Sequence, residues 1–184
     1  MPEAQGLLIR SDTKFKEAVD FERLQKLMYL IRSGVGYDNI NLGHASRAGV
    51  ATLNTPGAST TPVAMRSLMF AQAWAARLLP ATQSFRDGKW MRKDAAIEPV
   101  NLSERTLGII GYGRIGQETA RLAKALELFK DVTFTDIAQK PGAIALEDLV
   151  EHSHVITVSA GGKDAILTQD LLKRVQEGTL VVNT

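Results

Sequence analysis

Three glycines, Gly111, Gly113 and Gly116, form a G-x-G-x-x-G pattern between an apolar run, Thr106–Ile110, and a stretch of helical periodicity over 115–128. No other feature of the chain restricts its fold as much. A strand that turns at once into a helix needs a tight turn at the first glycine and bare backbone at the second. It also needs a close helix–strand contact at the third. The helix start beyond presents unpaired N–H groups and the positive end of the peptide dipoles, a cradle for phosphates. Asp136 follows about twenty residues after Gly116, at the end of the next apolar run. A carboxylate there can accept both hydroxyls of an adenosine ribose and would repel a 2′-phosphate. Loop, strand, helix and acid together point to a dinucleotide, with Gly111, Gly113, Arg114, Ile115, Gly116 and Asp136 as cofactor-binding candidates. The plainer alternative is a tight turn that binds nothing.

The rest of the chain repeats the same alternation. Short apolar strands are expected at 6–10, 28–31, 50–53, 106–110, 132–135, 155–158 and 180–183. Helices are expected at 15–27, 40–48, 61–79, 115–128, 146–151 and 168–175. Continuous apolar strands between amphipathic helices imply an α/β fold whose parallel sheet is covered on both faces. Asn54-Thr55-Pro56-Gly57 breaks the pattern. The expectation is an incomplete smaller domain over 1–54 and a doubly wound, Rossmann-type domain over 55–184. The second ends on a strand, and the whole reads as a piece of something longer.

Composition narrows the function. With 45% hydrophobic and 23% charged residues the chain is ordinary for a globular protein. It has no cysteine, which removes disulfides, thiolate metal sites and thiol nucleophiles. A net charge of +2 without a basic block gives no case for nucleic acid. Apolar runs fall short of the ~20 residues of a membrane span. The start, Met1-Pro2-Glu3-Ala4-Gln5, lacks the regions of a signal peptide. A cytoplasmic location is expected.

The sequence resembles the D-2-hydroxyacid dehydrogenase family over nearly its whole length, most of all the family's phosphoglycerate dehydrogenases. The resemblance rests on LLIRSDTK at 7–14, IRSGVGYDNINL at 31–42, NTPGAST at 54–60, DGKWMRK at 87–93, TLGIIGYGRIGQ at 106–117 and LVVNT at 180–184. It implies an NAD domain inserted in a flavodoxin-like substrate domain. The reaction implied is hydride transfer between NAD and a 2-hydroxy or 2-keto acid, with 3-phosphoglycerate of serine biosynthesis as the expected substrate. It further implies that Arg32-Ser33-Gly34-Val35-Gly36 binds the substrate carboxylate, with Val35 also near the nicotinamide. Consecutive N–H groups at the two glycines would form an anion nest. Arg10 and Arg32 would hold the phosphate, and Arg92 would reach in from a partner subunit. Ala160 and Thr184 join the cofactor-binding candidates.

The family's catalytic arginine stands in an Asn-x-Ala-Arg-Gly stretch, and its glutamate and histidine come later. The present residues stop at Asn183-Thr184, so no catalytic residue is assigned within them, and the 184 residues alone are expected to be inactive. His44, His152 and His154 do not match the family's base. The sequence departs from the family at Ser59, at Met65, at the helix end 127–130 and in the short loop 159–162. The apolar helix 61–79 suggests a homodimer. The alternative to an enzyme is a non-enzymatic NAD(H)-sensing protein of the corepressor type.

Overall fold

A computed structural model describes residues 3–89, 98–162 and 165–184. The chain folds as two compact units, Met1–Ser59 and Thr60–Thr184.

In the first unit, β1 (Gly6–Ile9), β2 (Tyr29–Arg32) and β3 (Ala51–Asn54) pair in parallel in the order β1-β2-β3. Ile9 and Leu30 of these strands bury against Phe21, Leu27, Ile40, Ala45 and Val50. The helix expected over 15–27 is reduced to α1 (Ala18–Glu22). Its first turn is spent otherwise: Phe15 forms a parallel bridge with Ile40, donating its N–H to the Asn39 carbonyl and accepting from the Asn41 N–H, both at 2.8 Å. The second helix, α2 (Leu42–Arg47), begins where the Asn41 side chain accepts the His44 N–H and ends before Gly49, whose φ of +70° supplies the expected turn.

In the second unit, β4 (Thr106–Ile110), β5 (Asp131–Thr135), β6 (Val155–Val158) and β7 (Leu180–Asn183) form a parallel sheet of order β5-β4-β6-β7. After β5 the chain crosses to the other side of β4. The connections from β4 and β6 therefore leave in opposite senses and open a crevice at the carboxyl ends of the strands. Side chains of β4 alternate between two cores. Leu107 and Ile109 pack with Leu68 and Ala71 of α3 (Thr60–Ala75) and with Ala120 and Ala123 of α5 (Arg114–Ala125). Ile110 packs on the opposite face with Leu149 and Val150 of α6 (Leu146–His152). The sheet is thus doubly wound and Rossmann-type.

The helix expected over 61–79 is two helices. It stops at Ala75, Arg77 takes the left-handed conformation at φ +51°, and α4 (Leu78–Arg86) sets off anew. The helix expected over 168–175 shortens to α7 (Gln169–Leu172), with Thr168 accepting the Leu171 N–H as its cap. Among the described residues no helix is long and apolar enough to cross a membrane.

Candidate functional site

Gly111 ends β4 at φ +89°, and a Cβ there would lie 2.7 Å from the backbone nitrogen of Ala160. Only glycine lets the loop after β4 and the loop after β6 approach so closely. A Cβ on Gly116 would meet the Gly111 carbonyl at 2.1 Å, which seats the first turn of α5 against the turn itself. Gly113 is different. It is the N-cap of α5, no side chain caps the helix there, and a Cβ would meet nothing within 4 Å. Two of the glycines are demanded by the protein's own packing, and the middle one faces open space beside uncapped N–H groups. That arrangement fits a pyrophosphate. Arg114 is exposed on the first turn, and Ile115 beside it is half-buried.

Asp136 follows β5. Its Oδ2 accepts the N–H of Tyr112 at 2.7 Å, and its Oδ1 accepts the N–H of Ala138 at 2.9 Å. The acid of the second strand thus clasps the glycine loop of the first. These two bonds and the ammonium of Lys140 hold its carboxyl below the usual aspartate range. Lys140 Nζ lies 3.4 Å from Asp136 Oδ2 and also donates to the Tyr112 carbonyl. The Tyr112 ring stacks on Phe134 at 3.7 Å between centroids. Thr184, just past β7, donates its hydroxyl to the Val158 carbonyl at 2.9 Å and touches Ser159 Oγ at 3.2 Å. The ends of all four strands therefore carry the cofactor-binding candidates of this unit.

Glu118 of α5 ties that helix to the start of α3. It accepts from Arg121 and from the Thr61 hydroxyl, and these bonds lower its carboxyl to about 2.

In the first unit, Arg32 ends β2 in register with Ile9 of β1 and Asn54 of β3. Arg10 follows immediately after β1 and is exposed. In the loop beyond Arg32, the Ser33 N–H goes to the Ile9 carbonyl and the Gly34 N–H to Thr55 Oγ1. Asn54 Nδ2 holds the Val35 carbonyl at 2.8 Å. Gly34, at φ +128°, leaves the space into which the Arg32 guanidinium folds to donate to the Ser33 carbonyl. Two N–H groups expected to face a carboxylate are thus already spent within the unit. Those of Val35 and Gly36 have no partner among the described residues. Arg92 and Trp90 lie outside the described residues.

The three histidines serve locally. His44 Nδ1 lies 3.0 Å from Arg47, His152 Nδ1 is 2.8 Å from the Asp148 carbonyl, and His154 Nδ1 accepts the Thr106 N–H. Among the described residues no cluster of acids and histidines could hold a metal.

Comparison with known proteins bears directly on this geometry. Residues 68–184 match the NAD binding domain of D-isomer specific 2-hydroxyacid dehydrogenases, and residues 1–84 match the catalytic domain of the same family. The chain belongs to the D-isomer specific 2-hydroxyacid dehydrogenases. A hydroxypyruvate reductase of Thermotoga maritima is 32% identical across all of the chain and 61% of that relative. A D-3-phosphoglycerate dehydrogenase of Archaeoglobus fulgidus is 30% identical across all of the chain and 36% of that relative. The solved structure of the TT0316 protein from Thermus thermophilus superposes with a TM-score of 0.86 at 26% identity, covering 98% of the chain and 59% of that protein. The chain thus spans about a third to three-fifths of the length of these relatives. NAD is the cofactor of this dehydrogenase family's matched domain.

Two residues beside the dinucleotide loop escape sequence reasoning. Ile137, directly after Asp136, is fully exposed, an apolar side chain held in water at the site. An isoleucine just past a strand-end acid was the available signal. Lys140 gave none, because its position depends on the left-handed turn at Gln139, φ +45°.

Proposed function

We propose that this chain is the cofactor-binding portion of an NAD-dependent 2-hydroxyacid dehydrogenase. Gly111, Gly113, Arg114, Ile115, Gly116, Asp136, Ala160 and Thr184 would hold the dinucleotide. The observation that carries the reading is the clasp between Asp136 and the Tyr112 N–H, which fixes the ribose acid against the phosphate turn. Bound NAD supplies the hydride acceptor. The chain's own residues would orient it: the uncapped start of α5 for the pyrophosphate, Asp136 for the ribose hydroxyls, and the exposed apolar Ile137 for the adenine. Arg10, Arg32 and the N–H groups of Val35 and Gly36 would take the acid substrate, with Ser33 and Gly34 holding that loop in shape through their own bonds to Ile9 and Thr55. Paired arginines at adjacent strand ends suit a phosphorylated one, since the planar guanidinium binds phosphate through two parallel bonds. On that ground 3-phosphoglycerate is the proposed substrate over an uncharged-tail hydroxy acid. Arg92 is proposed for the same phosphate from a partner subunit.

A homodimer through α3 and α4 belongs to the same reading, because Met65, Met69, Phe70, Leu78, Leu79 and Phe85 are all exposed there. The 184 residues contain no Asn-x-Ala-Arg-Gly stretch, so alone they would bind NADH without oxidising a hydroxy acid. Titration of intrinsic NADH fluorescence tests the reading: saturable enhancement is expected. A flat titration, or steady turnover of 3-phosphoglycerate by these residues alone, would overturn it.

A further inference from the structure

We infer that Lys140 sets the cofactor choice of this chain, placing an ammonium beside Asp136 so that a dinucleotide with a phosphate on the adenosine ribose 2′-oxygen is accepted alongside NAD. The inference rests on the dinucleotide reading above and deepens it. An acid at the end of the second strand discriminates against a 2′-phosphate because two anions would be forced together. Here that acid does not stand alone. Asp136 Oδ2 lies 3.4 Å from Lys140 Nζ, and each carboxylate oxygen already takes a backbone N–H, from Tyr112 and from Ala138. The carboxylate is thus held in place by three donors, one of them charged, and its outward field is offset.

Exposure separates the two partners. The Asp136 side chain is 12% exposed and that of Lys140 33%, so the ammonium is the more open half of the pair. Lys140 has three protons to donate and spends them on Asp136 and the Tyr112 carbonyl, which leaves one for an incoming oxyanion. Its backbone is not free to drift. The Asp136 carbonyl accepts the Gln139 N–H at 3.1 Å, and Gln139 is left-handed, so the turn returns Lys140 over the glycine loop. The flexible stem above that anchor lets Nζ move from Tyr112 to a phosphate without moving the loop.

A surface ion pair would serve stability alone if it lay elsewhere on the fold. This one lies between the first two glycines of the phosphate turn and the ribose acid. A lysine there acts on whatever occupies the ribose.

The test is parallel titration of the chain and its Lys140→Gln variant with NADH and NADPH, read by fluorescence, at two salt concentrations. The expected result is NADPH binding within about tenfold of NADH in the unaltered chain. In K140Q, NADPH should weaken by about tenfold or more and NADH by less than about threefold, an effect that shrinks with salt. If NADPH binds more than about a hundredfold more weakly than NADH and K140Q leaves that ratio unchanged, the inference is wrong while the dinucleotide reading stands. If neither nucleotide binds, the dinucleotide reading fails and takes the inference with it.

Discussion

The Thr106 N–H donates to His154 Nδ1 across 3.2 Å, so the first amide of the central strand is paired with an imidazole that must be neutral on that side. Burial, and then the neighbouring Arg105 guanidinium, lower the His154 pKa below 6.5. In the unfolded chain the ring takes a proton near its ordinary value. The stability tied to neutral His154 is therefore complete above about pH 6.5 and is lost as the pH falls through the lower folded value. Melting temperature should fall between about pH 7 and pH 5. His154→Asn, whose carbonyl can replace Nδ1 as acceptor, should flatten that slope. An unchanged slope in the variant would assign the acid sensitivity elsewhere.

Gly108 sits under α6, where a Cβ would lie 2.3 Å from Ser153 Oγ and 2.7 Å from Leu149 Cδ2. Gly108→Ala should lower unfolding free energy by about 1–3 kcal/mol in urea titrations. The double change with Leu149→Val should recover part of that loss.

The end of α5 forms a turn that glycine usually fills. Leu128 donates to the Ala123 carbonyl and Glu127 to the Lys124 carbonyl, with Glu127 left-handed at φ +50°. The sequence has no glycine at 127–130 to close the helix expected over 115–128. The structure keeps the turn and puts a glutamate in it. Glu127→Gly should raise stability by about 1 kcal/mol in the same titrations.

Asp136→Ala should weaken NADH binding by about fivefold or more, because charge-assisted bonds to the ribose disappear. It also frees the Tyr112 and Ala138 N–H groups, so loop order, followed by the exchange of those two amides, should drop with it. NADH affinity equal to the unaltered chain's would remove Asp136 from the ribose.

Leu79 and Phe85, 81% and 74% exposed, mark the proposed dimer face. Sedimentation at micromolar concentration should show a species near twice 20 kDa, and Leu79→Glu should halve it. Trp74 packs against the core, so a charge there would test folding and not association. A 20 kDa species in the unaltered chain would end the dimer proposal.

What the sequence discloses and what it hides divide along physical lines. Strands of mainly apolar residues, such as Val155–Val158, lie where their composition puts them, because a strand buried on both faces needs such a run and the polar segments around it cannot supply one. The three glycines and Asp136 are legible for a similar reason: geometry admits few substitutes. The break at Arg77 is legible only in part: Pro80 cannot give an N–H to the Ala76 carbonyl and so calls for a new first turn, but neither Ala76 nor Arg77 marks the stop itself. The turn is held instead by packing and by the Arg77 Nε bond to the Glu98 carbonyl. The shortened α1 is hidden because Phe15 serves a pairing with Ile40, far along the chain. Lys140 is hidden because four residues of turn decide where it points.

The alternation of side chains along β4 has a consequence for how the second unit opens. Ile109 and Ile110 are chain neighbours that belong to opposite cores. Loss of packing on either face leaves the strand clamped by the other, so its amides should exchange with deuterium only when the whole unit unfolds. β5 is paired on one side only and can fray alone. Asp136 rides on the end of that strand. A dinucleotide bridging β4 and β5 would therefore staple an edge strand of the sheet to a strand clamped from both faces.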